Sequence, residues 1–223
     1  MTQPDMMLRG PAHDDVVELA KAWAGTSVAY AIYRTGAVNL LTPVMIENLL
    51  VASIVCGIGF VVHEVAHREV ARRFGAQAHF AADTRWLLLS LVIALAGIFV
   101  AAPGAVWHTG VNDKERIGKI ALAGPISNFV LSFVFLLLYP LLYVIGWDLD
   151  ILLTMCVIGF TLNAWMGLFN MIPGGPFDGA KVLAWSPVIY VATVVVGAVM
   201  VFYLSRQEVF ISIWGWMVQA LAG

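Results

Sequence analysis

Val61-Val62-His63-Glu64-Val65-Ala66-His67 is the stretch that decides how the chain is read. It has the form H-E-x-x-H and closes an uncharged, mostly apolar run from Asn48 to Val62. In a helix, His63 and His67 stand one turn apart on one face, so both imidazoles can bind one metal ion. Glu64 is rotated by about 100° from His63. Its carboxylate can then lie beside the metal without ligating it. Two nitrogen ligands and a proton-accepting carboxylate are the parts of a hydrolytic zinc site. The setting is unusual for that chemistry, because the motif sits in what reads as a membrane span.

The whole chain shares that apolar character. Of its 223 residues, 61% are hydrophobic and 12% charged, against about 25% charged in soluble domains. The mean hydropathy is +0.88. This composition excludes a soluble globule and predicts an α-helical polytopic membrane protein in contact with the lipid bilayer. A net charge of −2 gives no basic footprint for nucleic acid. The two cysteines, Cys56 and Cys156, lie in apolar runs, which argues against a disulfide framework. Cys56 shares the His63 face two turns away and reads as a core thiol. Met1–Asp15 is polar, with three acids and one arginine, and shows no cleavable signal peptide.

A crossing of the hydrocarbon core needs about 20 apolar residues. Outward from the motif, six segments approach that: Val16–Tyr33, Val44–Phe74, Ile120–Trp147, Ile151–Met171, Val188–Leu204 and Val209–Leu221. The first carries Glu18 and Lys21, spaced to pair with each other, and the last is short. Arg68, Arg72 and Arg73 close the second span, which places that end and the histidines on the cytoplasmic side. Trp86–Val106 is apolar too, yet Arg85 precedes it and Lys114, Arg116 and Lys119 follow it. Positive charge at both ends fits a re-entrant or surface segment better than a crossing, with room for extended backbone after Ala101-Ala102-Pro103-Gly104. Asp148 and Asp150 form an acidic turn on the far side. Trp86, Trp107, Trp147, Trp214 and Trp216 read as interfacial anchors. The expectation is one membrane-embedded domain over residues 1–223.

A third metal ligand is required. Asp178 is the only acid between Asp150 and Glu208, and it follows the helix-breaking run Asn170-Met171-Ile172-Pro173-Gly174-Gly175-Pro176-Phe177. An ionisable group at membrane depth is costly and needs a partner. His63, His67 and Asp178 would make a His-His-carboxylate zinc sphere. The alternative is that Asp178 caps a helix beginning at Gly179. His79 and His108 lack a partner at helical spacing and read as surface or interface residues. Glu69 reads as a partner of Arg72 or Arg73.

Taken together, H-E-V-A-H in a span, then Ala123-Gly124-Pro125-Ile126-Ser127-Asn128, then N-M-I-P-G-G-P-F-D-G resemble the site-2 protease family of intramembrane zinc metalloproteases. The likeness covers about Val44 to Trp185 and implies a membrane-embedded metalloprotease domain over 1–223 with its catalytic core over about 44–185. It implies one Zn²⁺ held by His63, His67 and Asp178, with Glu64 as catalytic base. It also implies that Asn170 hydrogen-bonds the substrate or the developing oxyanion, and that Gly124 and Asn128 shape helix packing near the site. The implied reaction is hydrolysis of peptide bonds within or near the transmembrane segments of substrate proteins, as in regulated intramembrane proteolysis. The chain departs from the family at Gly174-Gly175, which replaces a bulkier pair, and at Trp86–Val100, which lengthens the β-hairpin region. No soluble regulatory domain is visible, so a minimal form is expected. The competing reading is a membrane metal-binding or transport protein using the same three ligands, which would have no need of Glu64.

Overall fold

The structure is a computed structural model that describes residues 13–100, 103–147 and 149–222. The residues before His13, together with Ala101, Ala102 and Asp148, lie outside the described residues. So do the expectations placed on them. The architecture is that of an α-helical polytopic membrane protein. Packing divides it into two units, Met1–Val111 and Asn112–Gly223.

The first unit opens with α1 (His13–Thr35). The histidine-bearing helix, α2, runs over Pro43–Arg73. Thr42 is extended and Pro43 takes the first helical position, where its missing N–H costs nothing. Arg72 and Arg73 favour the C-terminal end, and Gly75, at φ 81°, ends the run. At about 1.5 Å per residue, α2 is longer than a bilayer core requires. A π turn over Ser53–Gly57 interrupts it. There the Trp23 indole N–H of α1 donates to the Ser53 carbonyl at 2.9 Å. A Cβ at Gly57 would strike the Trp23 ring and Ser27 Oγ, so only glycine lets the two helices approach this closely.

After α2 the chain forms a hairpin with a helix at its tip. Strands β1 (Gln77–Ala82) and β2 (Gly104–Thr109) pair antiparallel, with Gln77 opposite Thr109 and Ala82 opposite Gly104. Between them lies α3 (Thr84–Leu95), capped by the Asp83 carboxylate, which accepts from Arg85 N and Trp86 N. Asp83 N–H also donates to the Pro103 carbonyl at 2.8 Å. The segment therefore returns to the point it leaves. Its 12-residue helix spans about 18 Å, well short of a hydrocarbon core of about 30 Å. That helix alone is too short for a crossing. Leu87, Ser90 and Ala94 are buried, while Trp86, Leu88, Leu89, Val92 and Leu95 present an apolar outer face.

In the second unit, α4 (Lys114–Val144) and α5 (Asp150–Phe169) form the main helix pair. Asp113 caps α4 through Arg116 N at 2.8 Å. Short α6 (Asp178–Trp185) follows the Pro-Gly loop, then α7 (Pro187–Leu204), with a π turn over Met200–Leu204, and α8 (Gln207–Ala222). A buried polar ladder joins α4 to α5. Asn128 Nδ2 donates to Asn163 Oδ1 at 3.0 Å, Asn163 Nδ2 to the Gly159 carbonyl, and Ser132 Oγ to the Phe160 carbonyl. Asn128, Ser132 and Asn163 are fully buried. Within apolar surroundings such groups must satisfy one another, and each interhelical bond contributes on the order of 0.6 kcal/mol.

Among the described residues, four helices are long and apolar enough to cross a membrane: α2, α4, α5 and α7. The other two of the expected six are α1, whose first turns carry acids, and α8, which has 16 residues. Trp214 corrects one expectation. It is buried, donates to the Leu136 carbonyl at 2.7 Å and stacks on Tyr139, so it packs α8 rather than anchoring it at an interface. Trp86, Trp147 and Trp216 are exposed as expected.

Candidate metal centre

The first unit carries its candidate ligands on α2. His63, Glu64 and His67 are all buried on a helix whose other residues are largely apolar. The helical repeat brings His63 Nε2 and His67 Nε2 to 3.0 Å, with the rings at 83° to one another. Two nitrogens bound tetrahedrally to one Zn²⁺ at about 2.0–2.1 Å would be about 3.3 Å apart. The pair therefore stands close to the spacing one ion imposes. Cys56 faces elsewhere: its thiol lies 3.9 Å from the Thr26 carbonyl of α1.

The end of α2 is fixed by charge. Asp15 of α1, only 3% exposed, accepts from Arg68 Nη1 at 3.1 Å and Arg72 Nη2 at 3.0 Å. Glu69 lies 3.1 Å from Arg68 and 3.7 Å from Arg72, so the expected pairing with Arg72 is present. Phe60 meets Phe80 of β1 edge to face, tying the helix to the hairpin one turn before His63. His79 and His108 sit opposite Trp107 and Ala78 respectively. They therefore point to opposite faces of the hairpin and form no pair.

The second unit carries its candidate ligand where α5 gives way to α6. The prolines and glycines between them fold the chain back, so that Gly179 N–H donates to the Asn170 carbonyl at 2.8 Å. A Cβ at Gly179 would strike the Met171 and Ile172 carbonyls. Asp178 is thereby delivered as the first residue of α6, buried, with Oδ1 3.2 Å from Lys181 Nζ. The helix begins at Asp178 rather than Gly179, with Phe177 in the cap position. Val182 and Met171 are packed together with Ala121 beneath this turn. Asn170 Nδ2 donates to the Met166 carbonyl at 2.9 Å.

Within their own units, His63 and His67 offer two buried imidazole nitrogens on α2, and Asp178 offers one buried carboxylate at the start of α6. Imidazole nitrogen and carboxylate oxygen are donor types that suit Zn²⁺. Two residues that tie together the elements of their own units were not singled out from sequence. Asp15 was read as part of a polar leader. Asn163 is a lone amide in an apolar run, and a polar group at membrane depth is itself a signal.

Comparison with known proteins shows the family. The chain is 41% identical over 149 residues to the Methanocaldococcus jannaschii protein named "Putative zinc metalloprotease MJ0611", a match covering 63% of this chain and 73% of that one. The chain belongs to the site-2 protease family of zinc metalloproteases. Within that family it is also 26% identical over 160 residues to "Putative zinc metalloprotease YwhC" of Bacillus subtilis, covering 65% of this chain and 71% of that protein. It is 32% identical over 123 residues to "Putative zinc metalloprotease Rip3" of Mycobacterium tuberculosis, where the match spans 54% of this chain but only 27% of the relative. No family model and no solved structure matches the chain.

Proposed function

We propose that the chain is an intramembrane zinc metalloprotease that hydrolyses peptide bonds within or beside transmembrane segments of substrate proteins. The observation that carries this reading is the burial of His63, Glu64 and His67 in a helix long and apolar enough to span a bilayer. In this reading both units act as one membrane-embedded domain over residues 1–223, with the catalytic core over 44–185. His63, His67 and Asp178 hold the metal. When bound, Zn²⁺ supplies Lewis acidity, acidifying a water toward neutrality and polarising the scissile carbonyl. Glu64 takes the water proton and passes it to the leaving amine. Asn170 has a second Nδ2 hydrogen, beyond the one given to Met166, with which to hold the substrate or the developing oxyanion.

A transmembrane helix hides its own amides in hydrogen bonds, so the substrate unwinds before it is cut. The unwound segment pairs with the edge of β2 by strand addition. Cleavage of a test substrate carrying one transmembrane helix, by the purified protein in liposomes, tests the function. A cut within or next to that helix is expected. Cleavage confined to soluble peptides would contradict it.

The active site faces the cytoplasm in this reading, because Arg68, Arg72 and Arg73 end α2 and positive charge marks the cytoplasmic side. Single cysteines at Asp83 and Asn112 flank the hairpin insertion. Both should react with an impermeant thiol reagent applied from the cytoplasmic side. Labelling of both from the opposite side would reverse the orientation, and labelling from different sides would remove the topology altogether.

A further inference from the structure

The two-stranded sheet has two edges, and the chain treats them differently. In an antiparallel pair, residues alternate between those whose N–H and C=O face the partner strand and those whose groups face outward. Phe80 N–H donates to Asp15 Oδ1 at 2.8 Å, and Ala82 N–H to Glu18 Oε2 at 3.1 Å. The Ala78 carbonyl accepts from Arg72 Nη2 at 2.8 Å and Nε at 3.2 Å. Ala78, Phe80 and Ala82 are therefore the outward residues of β1, and each has an outward group taken by a side chain of α1 or α2. The register sets Val106 opposite Phe80 and Gly104 opposite Ala82. Gly104 and Val106 are thus outward residues of β2, and among the described residues nothing is bonded to their outward groups.

An unpaired strand edge is a template for another strand, and side-chain carboxylates are one way to close it. Asp15 and Glu18 stand one turn apart on α1, 3% and 12% exposed, and meet alternate amides of the same strand. We propose that Asp15 and Glu18 are positioning residues for the substrate: by occupying the β1 edge they fix the sheet on α1 and leave β2 as the edge to which an extended substrate segment adds. The inference rests on the reading that substrate enters as an added strand. Both carboxylates act through the strand and neither takes part in the chemistry, so their removal raises KM and spares kcat.

The test uses the full chain in liposomes with a transmembrane test substrate, measuring KM, kcat and zinc content. Glu18 is the cleaner probe, because its ion pair is with the half-exposed Lys21 of its own helix, whereas Asp15 also neutralises Arg68 and Arg72 of α2. Glu18→Ala is expected to raise KM about tenfold, the equivalent of one or two hydrogen bonds, with kcat and zinc content unchanged. Glu18→Gln is expected to behave as wild type, since its amide oxygen still accepts from Ala82 N–H. Asp15→Ala should raise KM further and lower the melting temperature. Unchanged KM in both alanine variants, or a loss confined to kcat, overturns the proposal. Val106→Pro examines the strand-addition reading by itself. Its N–H faces outward, so proline leaves the β1–β2 ladder intact and removes only the donor at the open edge. Normal KM in Val106→Pro sinks strand addition, and this inference with it. Raised KM there with normal KM in the alanine variants sinks only the role of Asp15 and Glu18.

Discussion

Glu64→Gln is expected to bind zinc as the wild type does and to cleave about 10²–10⁴-fold more slowly, the usual cost of losing a general base. The substitution keeps the shape of the side chain. It changes only the capacity to accept a proton, because an amide oxygen is far too weak a base to take one from water. Glu64 is buried beside two histidines in an apolar helix, where a carboxylate without a task would be a costly residue. Zinc content by elemental analysis and turnover of the transmembrane test substrate give the two readouts. Near-wild-type turnover would remove Glu64 from the mechanism. Loss of zinc along with activity would make it a structural support of the site instead.

Asp178→Ala is expected to lose zinc altogether at micromolar free metal. Altering a residue that only supports a ligand costs about 10–100-fold in metal affinity, and removing a ligand should cost more. The fold around it gives a control. Asp178 is set by the Gly179–Asn170 hydrogen bond and by the packing of Val182 against Met171, none of which uses the carboxylate. The variant should therefore keep its helical content and thermal stability while binding no metal. Lys181→Met removes the partner of Asp178 Oδ1 and should weaken zinc by the smaller, supporting amount. Full zinc occupancy in Asp178→Ala would mean that the third ligand lies elsewhere.

The helices were legible because lipid exposure and burial both demand apolar residues. Runs such as Val44–Phe74 and Ile120–Trp147 announce their length, and Pro43 and Gly75 mark ends that the structure respects within a residue or two. The candidate metal ligands stood out for a different reason. Histidine, glutamate and aspartate are rare in such runs, so their spacing stands out against the background. What escaped were contacts between residues far apart in sequence. The ends of Trp86–Val106 meet through Asp83 and Pro103, a pairing that no local periodicity encodes. Asp15 reaches Arg68, Arg72 and Phe80 across more than 50 positions. Trp214 looks like any interfacial tryptophan until the Leu136 carbonyl and the Tyr139 ring are placed beside it.

The most direct measurement is zinc K-edge X-ray absorption on the purified protein in lipid. With His63, His67 and Asp178 as ligands, the first shell holds only nitrogen and oxygen at about 2.0–2.2 Å, with imidazole scattering from two rings. A sulfur shell at about 2.3 Å would bring Cys56 or Cys156 into the sphere and contradict the account, as would a purified, active protein that carries no zinc.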